Sequence, residues 1–221
     1  MTAGLTSVVV AAHQADRFIA EAIDSVLRDP AFGRGLELCV VDDGSTDRTA
    51  EIVSGYGAAV RLIRQPNGGA AAARNAGVAA GDGEFIAFLD ADDRWVTGRA
   101  GAQIEALAAA GPDAGVCFGH EVRFGRATGP PRPARTSNTA LIRRVAWARV
   151  GPLASNWRAG EFLDWLARAR DAGVGELLIP ATVVERRVHA ANLTSSDPDA
   201  LRDYARILKR SLDRRRGGSG A

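Results

Sequence analysis

Two short apolar runs in this chain stop abruptly at carboxylates. Residues 40–47 read Val-Val-Asp-Asp-Gly-Ser-Thr-Asp, and residues 85–93 read Phe-Ile-Ala-Phe-Leu-Asp-Ala-Asp-Asp. An apolar run bounded by polar turn residues is the pattern of a strand buried on both faces of a parallel sheet, and ligands bind beyond the carboxyl ends of such strands. Acids gathered at one rim repel one another unless a cation or a donor-rich ligand holds them. Asp90 and Asp92 are two residues apart, so an extended backbone turns both to one side. Their hard oxygens suit Mg2+ or Mn2+, ions that join a few protein oxygens to substrate phosphates. The plainer alternative is an acidic turn in which Asp93 caps the next helix. The earlier pair, Asp42 and Asp43, at a second strand end favours the ligand-holding reading.

The elements that must position these acids alternate along the chain. Strands are predicted at residues 6–12, 36–41, 59–64, 85–89 and 114–118, and within 177–187. Over residues 16–28, Phe18, Ile19, Ala22, Ile23, Val26 and Leu27 recur at helical spacing. A second helix passes through Ile52 and Val53, with Ser45, Thr46 or Asp47 as its cap. The turn Pro66-Asn67-Gly68-Gly69 leads into an Ala-rich helix over 70–80, and further helices are predicted over 101–110, 161–172 and 198–212. Alternation of this kind predicts an α/β class: right-handed βαβ units building a mostly parallel central sheet flanked by helices. Residues 125–137, with Pro130, Pro131 and Pro133, break the pattern and read as a linker, or as a mobile loop over the site. The tail 214–221, opening on three arginines, is expected to be disordered.

Composition narrows the function. With 46% hydrophobic and 24% charged residues, the 221-residue chain can bury the core of one domain. A net charge of +2, without basic residues interleaved among aromatics, argues against a nucleic-acid partner. Cys39 and Cys117 sit inside apolar runs and are expected to be buried free thiols. The chain passes from Met-Thr-Ala-Gly straight into a strand pattern, with no signal-peptide features. No apolar stretch approaches the roughly 18 residues that span a bilayer. A cytoplasmic protein without a transmembrane segment is the expectation.

In their order, these motifs resemble those of family 2 glycosyltransferases with the A-type fold. Ala-Ile-Asp-Ser-Val-Leu at 22–27 is followed by the acidic run at 40–47, by Pro66-Asn67-Gly68-Gly69 with Ala73-Arg74-Asn75-Ala76-Gly77, and then by Phe-Leu-Asp-Ala-Asp-Asp. The likeness is close over about the first half and looser beyond it. It implies one glycosyltransferase domain, with a Rossmann-like nucleotide-binding half over 1–124 and a smaller acceptor-side half over 138–213. It also implies an inverting, metal-dependent transfer from a nucleotide-diphosphate sugar, a UDP-sugar being expected first, to an unidentified small molecule, peptide or glycan precursor. By the same resemblance, Asp43 accepts from the base, the backbone near Ala11 and His13 flanks it, and Arg74 lies near the nucleotide or its phosphates. Asp90 then lies by the ribose and metal, and Asp92 binds Mn2+ or Mg2+ directly. The late segment from Arg186 to Asn192 is similar to one in which a histidine, here His189, reaches the metal, with Arg187 at the diphosphate.

The chain departs from that pattern in two places. The family's Pro-x-Tyr-Asn after the first strand is Ala11-Ala12-His13-Gln14 here, so His13 either stacks on the base or is an ordinary loop residue. Segments 141–144 and 149–153 resemble the approach to the family's catalytic acid, but Phe162 occupies the usual Asp position in Gly160-Glu161-Phe162-Leu163-Asp164-Trp165. Attack by an acceptor hydroxyl needs a carboxylate base. Glu161 and Asp164 are three apart on one helix face, and either serves, Glu161 being the first choice; both also suit a helix dipole. Trp157 and Trp165 line an acceptor pocket or belong to the core, and His120 is given no role. Two rival functions remain: a nucleotidyltransferase, which would need a Gly-rich basic loop after the first strand, and a catalytically inactive nucleotide-sugar-binding homologue, which Phe162 favours.

Overall fold

A computed structural model describes residues 1–157, 159–189 and 198–218, with the side chains of 202–214 in the last stretch. The chain opens with β1 (Thr2–Ala12), α1 (Ile19–Leu27), β2 (Leu36–Asp43), α2 (Thr49–Ser54) and β3 (Arg61–Gln65). It continues through α3 (Ala70–Ala80), β4 (Gly83–Asp90), a two-residue β5 (Arg94–Trp95), α4 (Arg99–Ala110) and β6 (Ala114–Gly125). The remainder is β7 (Arg132–Pro133), β8 (Leu141–Arg143), α5 (Arg144–Val150), α6 (Glu161–Asp171), β9 (Gly175–Val188) and α7 (Pro198–Gly218).

One sheet runs in the order β3-β2-β1-β4-β8-β6-β9-β5, with β7 added to β6. β1, β2, β3, β4, β6 and β9 point one way, and β5, β7 and β8 point against them. The predicted mostly parallel α/β sheet is therefore present. Its central strands are apolar on both faces: Val8, Val9 and Val10 of β1 and Ile86, Ala87 and Phe88 of β4 are fully buried. Helix α1 turns Ile19, Ala22, Ile23 and Val26 inward, which is the stripe its spacing predicts. Helix α3 lies close on β1 because Gly77 has no side chain; a Cβ there would be 2.3 Å from Val9 Cγ1. Cys39 and Cys117 are free and buried, and burial pushes both thiols up to about 11.

Two stretches differ from the sequence reading, and to a third, 141–150, that reading assigns no element. Residues 125–137 are more than a linker: Arg132 pairs with Glu121 in a short ladder, and Ser137–Thr139 forms a 3-10 turn whose Thr136 and Thr139 side chains cap it reciprocally. The run 141–150 is a strand followed by a helix, and its strand is the antiparallel insert between β4 and β6. The tail from Arg214, expected to be disordered, continues as α7 to Gly218, while 219–221 fall outside the described residues. Among the described residues, no helix is long and apolar enough to cross a membrane.

Candidate active site

Strand register assembles the first part of the site. Ala11 pairs with Val41 on one side and Asp90 on the other, and Ala12 pairs with Asp42, so three strand ends meet at one rim. Asp43 is buried there, 3% exposed. Its Oδ1 accepts from Gln65 Nε2 at 2.7 Å and from the Gly68 amide at 2.9 Å, and its Oδ2 accepts from the Gly69 amide at 2.8 Å. Gly69 is the N-cap of α3, so Asp43 fixes where that helix begins. A carboxylate offers about four lone-pair sites, which leaves one of Asp43's for an incoming donor. Asp42 is tied down too, by the Ser45 amide and by Arg64 Nε, each at 3.1 Å. His13 Nδ1 lies 2.9 Å from the Asp43 carbonyl oxygen, and Asn67 Nδ2 lies 3.2 Å from His13 Nε2. These loops touch only because residue 44 is glycine: its φ is +75°, and a Cβ would stand 2.8 Å from the Asn67 nitrogen.

The turn after β4 is held by side chains. Arg74, 9% exposed in its side chain, bridges two carboxylates: Nη2 donates to Asp90 Oδ1 at 2.7 Å, and Nη1 donates to Glu161 Oε1. Burial, the largest influence on Arg74, works against its charge, but Asp90 and Glu161 outweigh it and raise its pKa. Asn138 donates to Asp90 Oδ2 at 2.7 Å and to Asp93 Oδ2 at 2.6 Å. Asp93 is not a helix cap. It is buried beneath the turn, where its Oδ1 accepts from the Arg187 amide at 2.7 Å. Burial first, then the charges of Asp90 and Asp92, push its carboxyl well above the usual range.

Asp92 and His189, 97 residues apart in sequence, meet: Asp92 Oδ2 and His189 Nε2 share a hydrogen bond of 2.8 Å. The antiparallel pairing of Arg94 with Glu185 brings the end of β9 to this turn, and the His189 ring packs on Phe18 at 4.9 Å. Arg187 donates from Nε to the Asp92 carbonyl at 2.8 Å and from Nη2 to Glu21, with Phe124 4.4 Å from its guanidinium. Its contacts thus hold the Asp92 turn. Arg94 is paired to Glu21 as well, and the two arginines keep Glu21 ionised below its ordinary value although burial, the largest influence, opposes them. Oxygen from Asp92 and nitrogen from His189 are a donor set that Mn2+ accepts. Among the described residues no three His, Cys, Asp or Glu side chains form a metal cage, and phosphate and water are further ligands such an ion accepts. Ala190, Ala191 and Asn192 of the late motif lie outside the described residues.

The two candidate bases part company. Glu161, the first residue of α6, joins Asp90 through Arg74. Asp164 is buried one turn on and accepts from Arg168 Nε at 2.9 Å, while Arg168 also donates to the Val150 and Pro152 carbonyls. Asp164 therefore anchors α6 to the loop before it. Phe162 is core: it stacks on Trp165 at 5.7 Å and meets Phe118 edge-on at 6.3 Å. Trp165 is fully buried and donates to the Gly151 carbonyl, which decides its two readings in favour of the core. Sequence reasoning missed Asn138 and Glu21. Nothing local marks Asn138 beyond a polar turn between prolines and a strand, and Glu21 reads as one more acid on a helix surface.

The family model described as glycosyl transferase family 2 matches residues 7–157. An uncharacterised glycosyltransferase of Bacillus subtilis (strain 168), EpsJ, is 41% identical over 92 residues, which cover 40% of this chain and 26% of that protein. The chondroitin synthase of Pasteurella multocida (strain Pm70) is 38% identical over 92 residues, covering 40% of this chain and 9% of that one. The match thus spans about a quarter or less of these relatives' length. S. aureus TarS 1–349 in complex with UDP-GlcNAc superposes with a TM-score of 0.78 at 20% identity, over 94% of this chain and 65% of that one. The mannosyltransferase PcManGT from Pyrobaculum calidifontis, in complex with GDP-Man and Mn2+, gives 0.78 at 18% identity, over 94% and 64%. These structural likenesses establish a shared fold.

Proposed function

The chain belongs to glycosyl transferase family 2, and from that premise we propose that it is an inverting, metal-dependent transferase that moves a sugar from a nucleotide-diphosphate donor to an acceptor hydroxyl. One observation carries the reading: buried Arg74 links Asp90 to Glu161, so the acid turn that would face the diphosphate and the acid that would face the acceptor form one charged unit. A bound Mn2+ or Mg2+, held by Asp92 and His189 with Asp90 beside them, would supply Lewis-acid neutralisation of the departing diphosphate. The protein's own groups do the rest. Arg74 orients the Glu161 carboxylate, which takes the proton of the acceptor hydroxyl as that oxygen attacks the anomeric carbon from the face opposite the leaving nucleotide. Asp43 uses its remaining lone pair to receive an N–H of the base, and the backbone around Ala11 with the His13 ring flanks that base. UDP and GDP are the nucleotides of the donors in the two structural neighbours, and a UDP-sugar is the first donor to test here.

Calorimetry with UDP and Mn2+ tests the assignment. Asp92→Asn, a change at a partly exposed side chain, is expected to keep the fold and to lose Mn2+-dependent UDP affinity by about 10²-fold, in line with loss of a metal ligand. Equal affinity in wild type and variant sinks the assignment of Asp92.

A further inference from the structure

Helix α7 packs against α6 just where the candidate base is presented. Gly160 immediately precedes Glu161, and a Cβ on it would lie 2.9 Å from both Ile207 and Tyr204 of α7. Beside this contact is a cavity of about 420 Å³ lined by Asn156, Trp157, Arg206, Lys209, Arg210 and Asp213. That volume is in the range of small-molecule sites, roughly 300–1,000 Å³. Three cations face it against one carboxylate. Arg206 has Asp203 3.6 Å away, whereas Lys209 and Arg210 have no carboxylate partner among the described residues. The Arg210 guanidinium sits over the Trp157 ring, 5.0 Å from its centroid, which fixes a positive charge against the cavity's aromatic wall. An excess of arginine and lysine charge around a concavity selects a compact, multiply charged anion, and a phosphate group matches both the guanidinium fork and the ammonium.

We propose that this cavity binds the phosphate group of a phosphorylated acceptor. The word acceptor rests on the transferase reading. Trp157 is four residues before Glu161, so their Cα atoms are at most about 14 Å apart, which a phosphorylated glycan can bridge. The same helix exposes Leu208 and Leu212, 57% and 55% accessible and one turn apart. The phosphate therefore comes either from a soluble sugar phosphate or from a phosphate-headed lipid whose chain lies along these leucines.

The test compares wild type with the double variant Lys209→Ala/Arg210→Ala, whose side chains are exposed and whose loss leaves the core intact. The probes are mannose 6-phosphate against mannose, and vesicles of phosphatidylcholine with and without phosphatidic acid. Binding of mannose 6-phosphate or of the phosphatidic-acid vesicles, weakened about tenfold or more in the variant, supports the proposal and identifies the soluble or the lipid source respectively. Lys209 is the only lysine, so the bound probe should also slow its acetylation relative to the N-terminal amine, read by mass spectrometry. UDP with Mn2+ should bind both proteins equally. The proposal is overturned if neither phosphate probe binds, or if wild type and variant bind it alike. Failure of UDP and Mn2+ to bind wild type, with probe binding intact, counts against the transferase reading and leaves the anion site standing.

Discussion

The turn after β2 and the turn after β4 look alike in sequence, since each is an apolar strand running into aspartates, yet the folded protein uses them differently. Asp42 and Asp43 are buried, and backbone amides of the two following loops account for three of their five hydrogen bonds. Their charge builds the scaffold. Asp90 and Asp92 keep 40% and 28% of their side chains exposed and are held by Arg74, Asn138 and His189. A carboxylate held by side chains at a solvent-facing rim can exchange a partner for a ligand. One locked under backbone amides cannot do so without opening the loop that surrounds it.

Six substitutions, taken in four tests, sharpen or break this contrast. Asp43→Ala orphans the Gly68 and Gly69 amides and is expected to cost about 3 kcal/mol or more of stability in urea denaturation, whereas Asp92→Ala stays within about 1 kcal/mol of wild type. Equal costs at the two positions would remove the distinction. Glu161→Gln is expected to lower turnover about 10²-fold, some 2.7 kcal/mol of barrier, with donor affinity unchanged; Asp164→Asn should change stability more than turnover. A turnover loss confined to Asp164→Asn would transfer the base to that residue. Asn138→Ala releases Asp90 and Asp93 together and should cost about 2 kcal/mol, seen as a lower thermal midpoint and weaker Mn2+-dependent UDP binding. An unchanged UDP titration would show that the turn after β4 holds its shape without this clamp. His189→Ala should weaken UDP about tenfold while leaving uridine binding alone, as expected for a group that acts on the charged end of the ligand. An equal effect on both ligands would make His189 a packing residue against Phe18.

Much of the scaffold was legible beforehand. The helix predicted over 70–80 is Ala70–Ala80, the apolar runs are strands, and both cysteines are buried thiols. The misread stretches are those in which local composition and tertiary use diverge. Prolines 130–133 suggest a linker, but Arg132 supplies a side chain to Glu121 from an edge position where a missing N–H is tolerated. The expected shared face of Glu161 and Asp164 is correct for an isolated helix, but Arg74 reaches one residue and Arg168 the other.

By itself the sequence determined most of the strands and helices and which acids stand at strand ends. Burial on a sheet or helix has a short period, so it is written in neighbouring residues. Only the tertiary structure decided the partners, because each contact that defines the site joins distant segments: Asp90 to Asn138 across 48 residues, Arg74 to Glu161 across 87, Asp92 to His189 across 97. Those pairings follow from strand register, from the Gly77 contact that lays α3 on β1, and from the β5–β9 ladder. A charge chooses among partners by distance and burial, and neither quantity exists until the sheet has closed.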